Sequence, residues 1–151
     1  MIEDPKPLSK LDEAIIVAVQ AHAGEVDKVG EIYIFHPLRV MLILGSAASE
    51  EQRIVAVLHD VVEDSTVTLE AVGIQFGARI QKAVDTITRR PGEPYDAYIG
   101  RVEVCALART AKIADLCDNL DENRVTALDA TKLASLRARY KKTLRRLTIS
   151  H

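Results

Sequence analysis

The chain has 151 residues, 48% of them hydrophobic and 28% charged, with a formal net charge of −2. That is the length and balance of one globular domain able to bury a core without disulfide or metal staples, and it excludes a global basic field for holding nucleic acid. Two cysteines, Cys105 and Cys117, stand outside any CxxC and read as reduced thiols in the core; the polar start MIEDPKPLSK has no signal-peptide core and no apolar run reaches transmembrane length. The expectation is a cytoplasmic protein with neither a membrane nor a nucleic-acid polymer as partner.

In chain order, Ser9 with Asp12 three residues on predicts a capped helix over LDEAIIVAVQAHAG, with Gly24 as its stop. Residues 25 to 35 read as a loop turning at Gly30. Pro37 suits the first turn of a second helix, PLRVMLILGSAA, with Met41, Leu42 and Leu44 as core positions. A third helix starts near Ser49 and runs through EEQRIVAVLHDVVED. Thr68 caps a fourth, LEAVGIQFG, and a fifth runs from about Ala78 to Arg90. RRPGEP then breaks the pattern, and Tyr95 to Gly100 reads as a short helical piece at best. Residues 103 to 121 read as a long, largely apolar helix, and 130 to 147 as an amphipathic one with a basic face. No stretch alternates with period 2, so the fold class is all-α, a helical bundle.

Four positions carry charge where a greasy helix would not. His59 and Asp60 follow the apolar run Ile54 to Leu58, and Glu63 and Asp64 come one turn later. On a continuous helix His59 lies above Glu63, and Asp60 above Asp64. Burying an adjacent His-Asp pair is costly unless both groups find partners, and a divalent metal is such a partner. Two more ligands are available: His36, just ahead of Pro37, and Asp115, an acid inside ALARTAKIADLCDNL. A lone His-Asp pair on a helix end is more often a cap or an ion-pair partner. Four such residues together point instead to a site of two histidines and two aspartates. That mixed N/O set suits Mn²⁺ or Fe²⁺ better than structural zinc. A bound ion of this kind makes water acidic enough to act near neutral pH, and Glu63 and Asp64 are then candidates for proton transfer and water orientation.

The H…HD…D pattern resembles the signature of the HD phosphohydrolase superfamily. AHAGEVDKVGEIYIFHPLRV resembles the segment AHxGQxRKxGxPYIxHPxxV, LHDVVEDS resembles LLHDVVEDT, and KIADLCDNL resembles KLADRxxNL. These segments are similar to the hydrolase domain of RelA/SpoT proteins and of stand-alone Mesh-type small alarmone hydrolases, over about Leu11 to Leu147. The resemblance implies one HD hydrolase domain over residues 1–151, without a synthetase or regulatory domain. It also implies Mn²⁺-dependent release of pyrophosphate from the 3′ position of (p)ppGpp-like nucleotides. By the same resemblance His36, His59, Asp60 and Asp115 are metal ligands, and Glu63 and Asp64 are the pair that activates or orients water. Lys28 faces substrate phosphates, Asn119 contacts the nucleotide, and Lys112 is structural or steers phosphate.

A pyrophosphate is densely anionic, so Lys28 and Arg39 are expected to help the metal offset its charge. RARYKKTLRR adds cations on a helix whose plainer reading is a solvated face, and Tyr140 there either packs or contacts the base. The chain departs from the pattern at Glu25, Asp27 and Ile32, where the segment has Gln, Arg and Pro. An aspartate cannot stack on a base as a cation, so adenine alarmones such as (p)ppApp stand beside guanine ones. TRRPGEPYDAYIGRV resembles a bacterial and phage subgroup with TRRxGExYxxYIxRV, in which Asp-Lys also replaces Arg-Lys. Arg89 and Arg90 read there as a charged loop face or as nucleotide contacts. His22 reads as a packed or loop-bracing histidine and not as a metal ligand, and His151 as a disordered terminus. The rival readings are an HD phosphatase of another nucleotide or phosphate ester, such as NADPH, and a catalytically silent nucleotide-binding sensor.

Overall fold

The computed structural model describes residues 3–121 and 130–149, so His151 lies outside the described residues. Among the described residues there are nine helices and no strand; the one isolated β-bridge joins Val26 and Ile32. The first three are α1 (Lys10–Ala21), α2 (Phe35–Ile43) and α3 (Glu50–Leu58). Next come α4 (Val61–Asp64), α5 (Leu69–Phe76) and α6 (Ala78–Ile87), then α7 (Tyr95–Glu103), α8 (Ala106–Asn119) and α9 (Ala130–Ile149).

Local chemistry sets the starts. Ser9 and Asp12 form a reciprocal capping box on α1, Ser49 and Gln52 do the same on α3, and the Thr68 hydroxyl accepts from Ala71 N–H on α5. Each cap contributes about 1 kcal/mol to its helix. α2 ends at Ile43, before the predicted GSAA, because Gly45 turns the chain at φ +79° and its carbonyl accepts from Arg53.

α3 is the axis of the molecule. Ile54, Val55, Ala56, Val57 and Leu58 are all buried, so the second half of the helix is apolar around its circumference, and α3 packs against α1, α2, α6 and α8. Enclosing a side chain such as Leu58 contributes about 1.5–3 kcal/mol. α8 lies beside it with Ala108, Ala111 and Ala114 buried; these small side chains admit α2, α3, α6, α7 and α9 around one helix.

Four expectations are corrected. The third helix does not run on to Asp64: it stops at Leu58, the chain turns at His59 and Asp60, and the short α4 follows. The His59 ring bonds the Ala56 carbonyl at 2.7 Å, and Asp60 sits at φ −106°, ψ −4°. α7 is a full helix, because Tyr98, Ile99 and Val102 bury their side chains and override a weak local pattern. Leu42 is 70% exposed, since α2 buries only the stripe of His36, Pro37 and Val40. Cys117 faces outward on α8, and Cys105 is half-buried at its start.

Candidate metal centre

α2, α3 and α8 pack against one another, and the four sequence-predicted ligands meet at their junction. His36 enters from the first turn of α2, His59 and Asp60 from the turn that ends α3, and Asp115 from α8. His36 Nε2 lies 3.0 Å from Asp115 Oδ1 and 3.3 Å from His59 Nε2. His59 Nε2 lies 3.0 Å from Asp60 Oδ2 and 3.4 Å from Asp115 Oδ1, and Asp60 Oδ2 is 3.7 Å from His36 Nε2. Neighbouring ligands on an ion with bonds of about 2.1 Å stand about 3.0 Å apart, and opposite ones about 4.2 Å. The cluster already has that spacing.

The outer nitrogens fix the tautomers. His36 Nδ1 meets Asp118 Oδ2 at 2.6 Å, and His59 Nδ1 meets the Ala56 carbonyl at 2.7 Å. A carboxylate and a carbonyl only accept, so each Nδ1 carries a proton, and in the neutral ring the inward-facing Nε2 is the atom left to act as a ligand. Arg39 Nε donates to the other Asp118 oxygen at 2.9 Å. Lys112 Nζ donates to Asp115 Oδ2 at 2.8 Å, Asn119 Nδ2 donates to Asp115 Oδ1 at 3.0 Å, and the Tyr33 hydroxyl donates to Asp60. Outer partners of this kind orient ligands and tune their basicity.

The electrostatics match a cation site filled by protons. Burial pulls His59 and His36 down, yet the carboxylates of Asp60, Asp115 and Asp118 leave both imidazoles above their ordinary value. Burial would raise Asp115, but Lys112 and the two imidazoles hold it well below the usual carboxylate range. Glu63 and Asp64, on α4, are pushed up by burial and then by the Asp60 charge; Asp64 (Glu63) and Glu25 (Asp64) add to it.

A cavity of about 370 Å³ opens from this cluster, with His36, Asp60 and Asp115 on its floor and Lys28, Tyr33, Asn119 and Tyr140 among its walls. That volume is in the range of small-molecule sites. Lys28 is carried on a loop braced by Asp27, whose Oδ1 accepts from Val29 and Glu31 N–H at 2.9 and 3.0 Å. Asp27 is therefore also a backbone brace. Arg39, expected at phosphates, and Lys112, expected to be structural or to steer phosphate, have their cationic groups on Asp118 and Asp115, and neither lines the cavity. Arg89 bonds the Glu93 carbonyl and Arg90 pairs with Asp85, a charged loop face. The residue missed by the sequence reading is Asp118, although its spacing of three from Asp115 puts both on one face of α8.

An all-α bundle with two histidines and two aspartates converging beneath a cavity offers a group that could hold a metal ion. The comparison with known families agrees: the pattern of the HD domain matches residues 14–92, and the chain belongs to that family. The matched stretch contains His36, His59 and Asp60; Asp115 lies beyond it. The chain is 35% identical over 123 residues to a probable GTP pyrophosphokinase of Mycobacterium leprae, covering 75% of this chain and 16% of that protein. It is also 35% identical over 86 residues to a guanosine-3′,5′-bis(diphosphate) 3′-pyrophosphohydrolase of Aquifex aeolicus, covering 56% of this chain and 12% of that protein. The chain thus spans a sixth or less of the length of these relatives. Among solved structures it resembles a metazoan ortholog of SpoT that hydrolyses ppGpp, with a TM-score of 0.83 and 25% identity over 96% of this chain and 89% of that one.

Proposed function

We propose that this domain is a Mn²⁺-dependent hydrolase that releases pyrophosphate from the 3′ position of (p)ppGpp- or (p)ppApp-type nucleotides. The observation that carries the reading is the cavity floored by His36, Asp60 and Asp115 of the two-histidine, two-aspartate cluster and walled by Lys28, Asn119 and Tyr140. Its likeness in fold and sequence to proteins named for ppGpp hydrolysis supports the same substrate class.

His36, His59, Asp60 and Asp115 would hold the divalent ion, which supplies Lewis acidity toward water and phosphate oxygens when bound. Lys28 neutralises phosphate charge at the cavity wall. Asn119, tied to Asp115 through its Nδ2, keeps its carbonyl oxygen for the nucleotide, and Tyr140 offers a ring for the base. Lys112 and Arg39 act through Asp115 and Asp118 by holding those carboxylates in place. Water adds to the phosphorus attached to the ribose 3′ oxygen; that P–O bond breaks, and the ribose oxygen leaves and takes a proton. Glu63 accepts the water's proton and Asp64 helps to orient it. Asp27 offers the base no cation to stack on, which widens the choice to adenine.

The test is product analysis by ion-exchange chromatography with Mn²⁺ and ppGpp, ppApp or NADPH, using the double variant His59→Ala/Asp60→Ala as control. Pyrophosphate with GDP or ADP, absent in the control, is the expected result. Orthophosphate from NADPH alone would replace the reading with a phosphatase, and no turnover by metal-loaded protein would leave a binding module. Glu63→Gln should lower turnover by about 10²-fold or more with Mn²⁺ affinity little changed; wild-type turnover would remove Glu63 from its role.

A further inference from the structure

A second group of potential ligands lies outside the centre described above. His22 at the end of α1, Glu25 in the following loop and Asp64 at the end of α4 each bring a ligand atom within 4.8 Å of the other two. The His22 side chain has no exposed surface, and its Nδ1 faces Glu25 Oε2 at 3.3 Å. Its Nε2 is buried without a hydrogen-bond partner. A charge-assisted N–H···O bond would close to about 2.7–2.9 Å. The observed 3.3 Å matches the ligand-to-ligand spacings of the first centre.

Charge points the same way. Asp64, though its surface is exposed, is pushed up by partial desolvation and by the charges of Asp60 and Glu25, which outweigh a pull down from His22 and His59. Among the described residues no lysine or arginine pairs with Glu25 or Asp64. Glu25 and Asp27 stand where the resembling segment has Gln and Arg, so two substitutions make this loop more negative.

We propose that His22, Glu25 and Asp64 bind a second divalent cation beside the first centre. An imidazole with two carboxylates selects a first-row ion such as Mn²⁺ over Mg²⁺ or Ca²⁺. Opposite ligands on such an ion stand about 4.2 Å apart, so the group needs only a small closure. The half-buried Glu25 and the exposed Asp64 can supply it by side-chain rotation. Tyr33 separates the two centres: its ring lies 4.8 Å from that of His22 and 5.7 Å from that of His36, and its hydroxyl reaches Asp60. The second ion divides the labour of the acidic pair: Asp64 would hold the cation as well as help orient water, and Glu63 is left as proton acceptor. That division rests on the function proposed above; the binding itself does not.

The experiment is equilibrium dialysis of the whole chain against Mn²⁺ without nucleotide, with bound metal counted by atomic emission. The wild type is expected to bind two Mn²⁺ per chain. Glu25→Gln should retain the first and weaken the second by about tenfold or more. That variant is near-isosteric and restores the residue of the resembling segment, so its fold is expected to survive, with an unchanged melting temperature in chelator as the check. His22→Asn should also lose the second ion, and Asp115→Ala should lose the first. One Mn²⁺ per chain in the wild type, or an unchanged second affinity in Glu25→Gln, would overturn the proposal. Two ions with no alarmone turnover would sink the proposed function and leave this inference standing; turnover with a single ion would do the reverse.

Discussion

Two polar clusters sit inside this bundle, and they are wired in opposite senses. In the last turn of α7, Arg101 donates to both Glu93 oxygens at 2.9 and 2.7 Å and to the Thr86 and Thr88 carbonyls at 3.2 and 3.3 Å. Beside it the Tyr98 hydroxyl donates to the Ile87 carbonyl at 2.6 Å. Each of these donors meets an acceptor of the protein itself. At the junction of α2, α3 and α8, nitrogen and oxygen ligand atoms converge instead: the two imidazole Nε2 atoms lie 3.3 Å apart, with carboxylates around them. A cluster that only holds the fold closes on itself. One that waits for a cation leaves lone pairs converging on a point, and the raised imidazoles mark protons standing in.

The sharpest way to break the comparison is to remove a ligand. Asp115→Ala should abolish turnover, by about 10³-fold or more, and erase the rise in melting temperature that Mn²⁺ gives the wild type. That rise corresponds to about 2.7 kcal/mol at a hundredfold excess over Kd. A variant that still gained stability from Mn²⁺ would show that the acceptors do not share one ion. Next in size is Asp118→Asn, which keeps the shape but weakens the hold on His36 Nδ1. Mn²⁺ affinity should fall about 10–100-fold, with turnover largely restored at saturating Mn²⁺. Unchanged affinity by calorimetry would make Asp118 a packing residue.

Asp118 also marks the limit of what the sequence discloses. The convergence of His36, His59, Asp60 and Asp115 was legible because acids and histidines in apolar helices need a partner, and Ser9, Ser49 and Thr68 announced their helices by cap chemistry. Asp118 follows Cys117 near a helix end and looks like an ordinary solvated acid; only the tertiary approach of α2 gives it His36 and Arg39. The turn at His59 and Asp60 was hidden for a similar reason. Residues 49–64 have one continuous helical pattern, and a bond from the His59 ring to its own helix is not a pattern property. α7 was underrated because its stability comes from burial and from the Arg101 contacts, both long-range. Lys112 and Arg39 were legible as cations near the site, but the carboxylate each would hold was not.

The α7 cluster should respond to mutation without touching metal. Tyr98→Phe leaves the buried Ile87 carbonyl short of a donor and keeps the ring under Lys112, whose Nζ lies 5.6 Å from its centroid. The expected cost is about 1–2 kcal/mol in urea unfolding of the metal-free protein, with Mn²⁺ affinity unchanged. A loss of affinity with no loss of stability would mean that the two clusters are coupled through Lys112.

The smallest effect is a pH dependence, and its sign separates the clusters further. The hydrogen bonds from Arg101 hold Glu93 below its ordinary value of 4.5. A carboxyl depressed in the folded state binds its proton more readily when unfolded, so its contribution is fully present above the unfolded value and is lost as pH falls through the folded one. The stability gap between wild type and Glu93→Gln should therefore be constant from neutral pH down to about 5 and narrow only below the ordinary Glu93 value. The imidazoles of the metal centre are raised, so their contribution in metal-free protein has the opposite slope: present in acid, lost as pH rises through their folded values. Urea midpoints of both proteins from pH 7 to pH 3 test the Glu93 sign, and those of metal-free wild type as pH rises above 7 test the sign of the imidazoles. A gap that widened in acid would show that Glu93 is protonated in the folded clamp, and that the α7 cluster, like the centre, is completed by a proton.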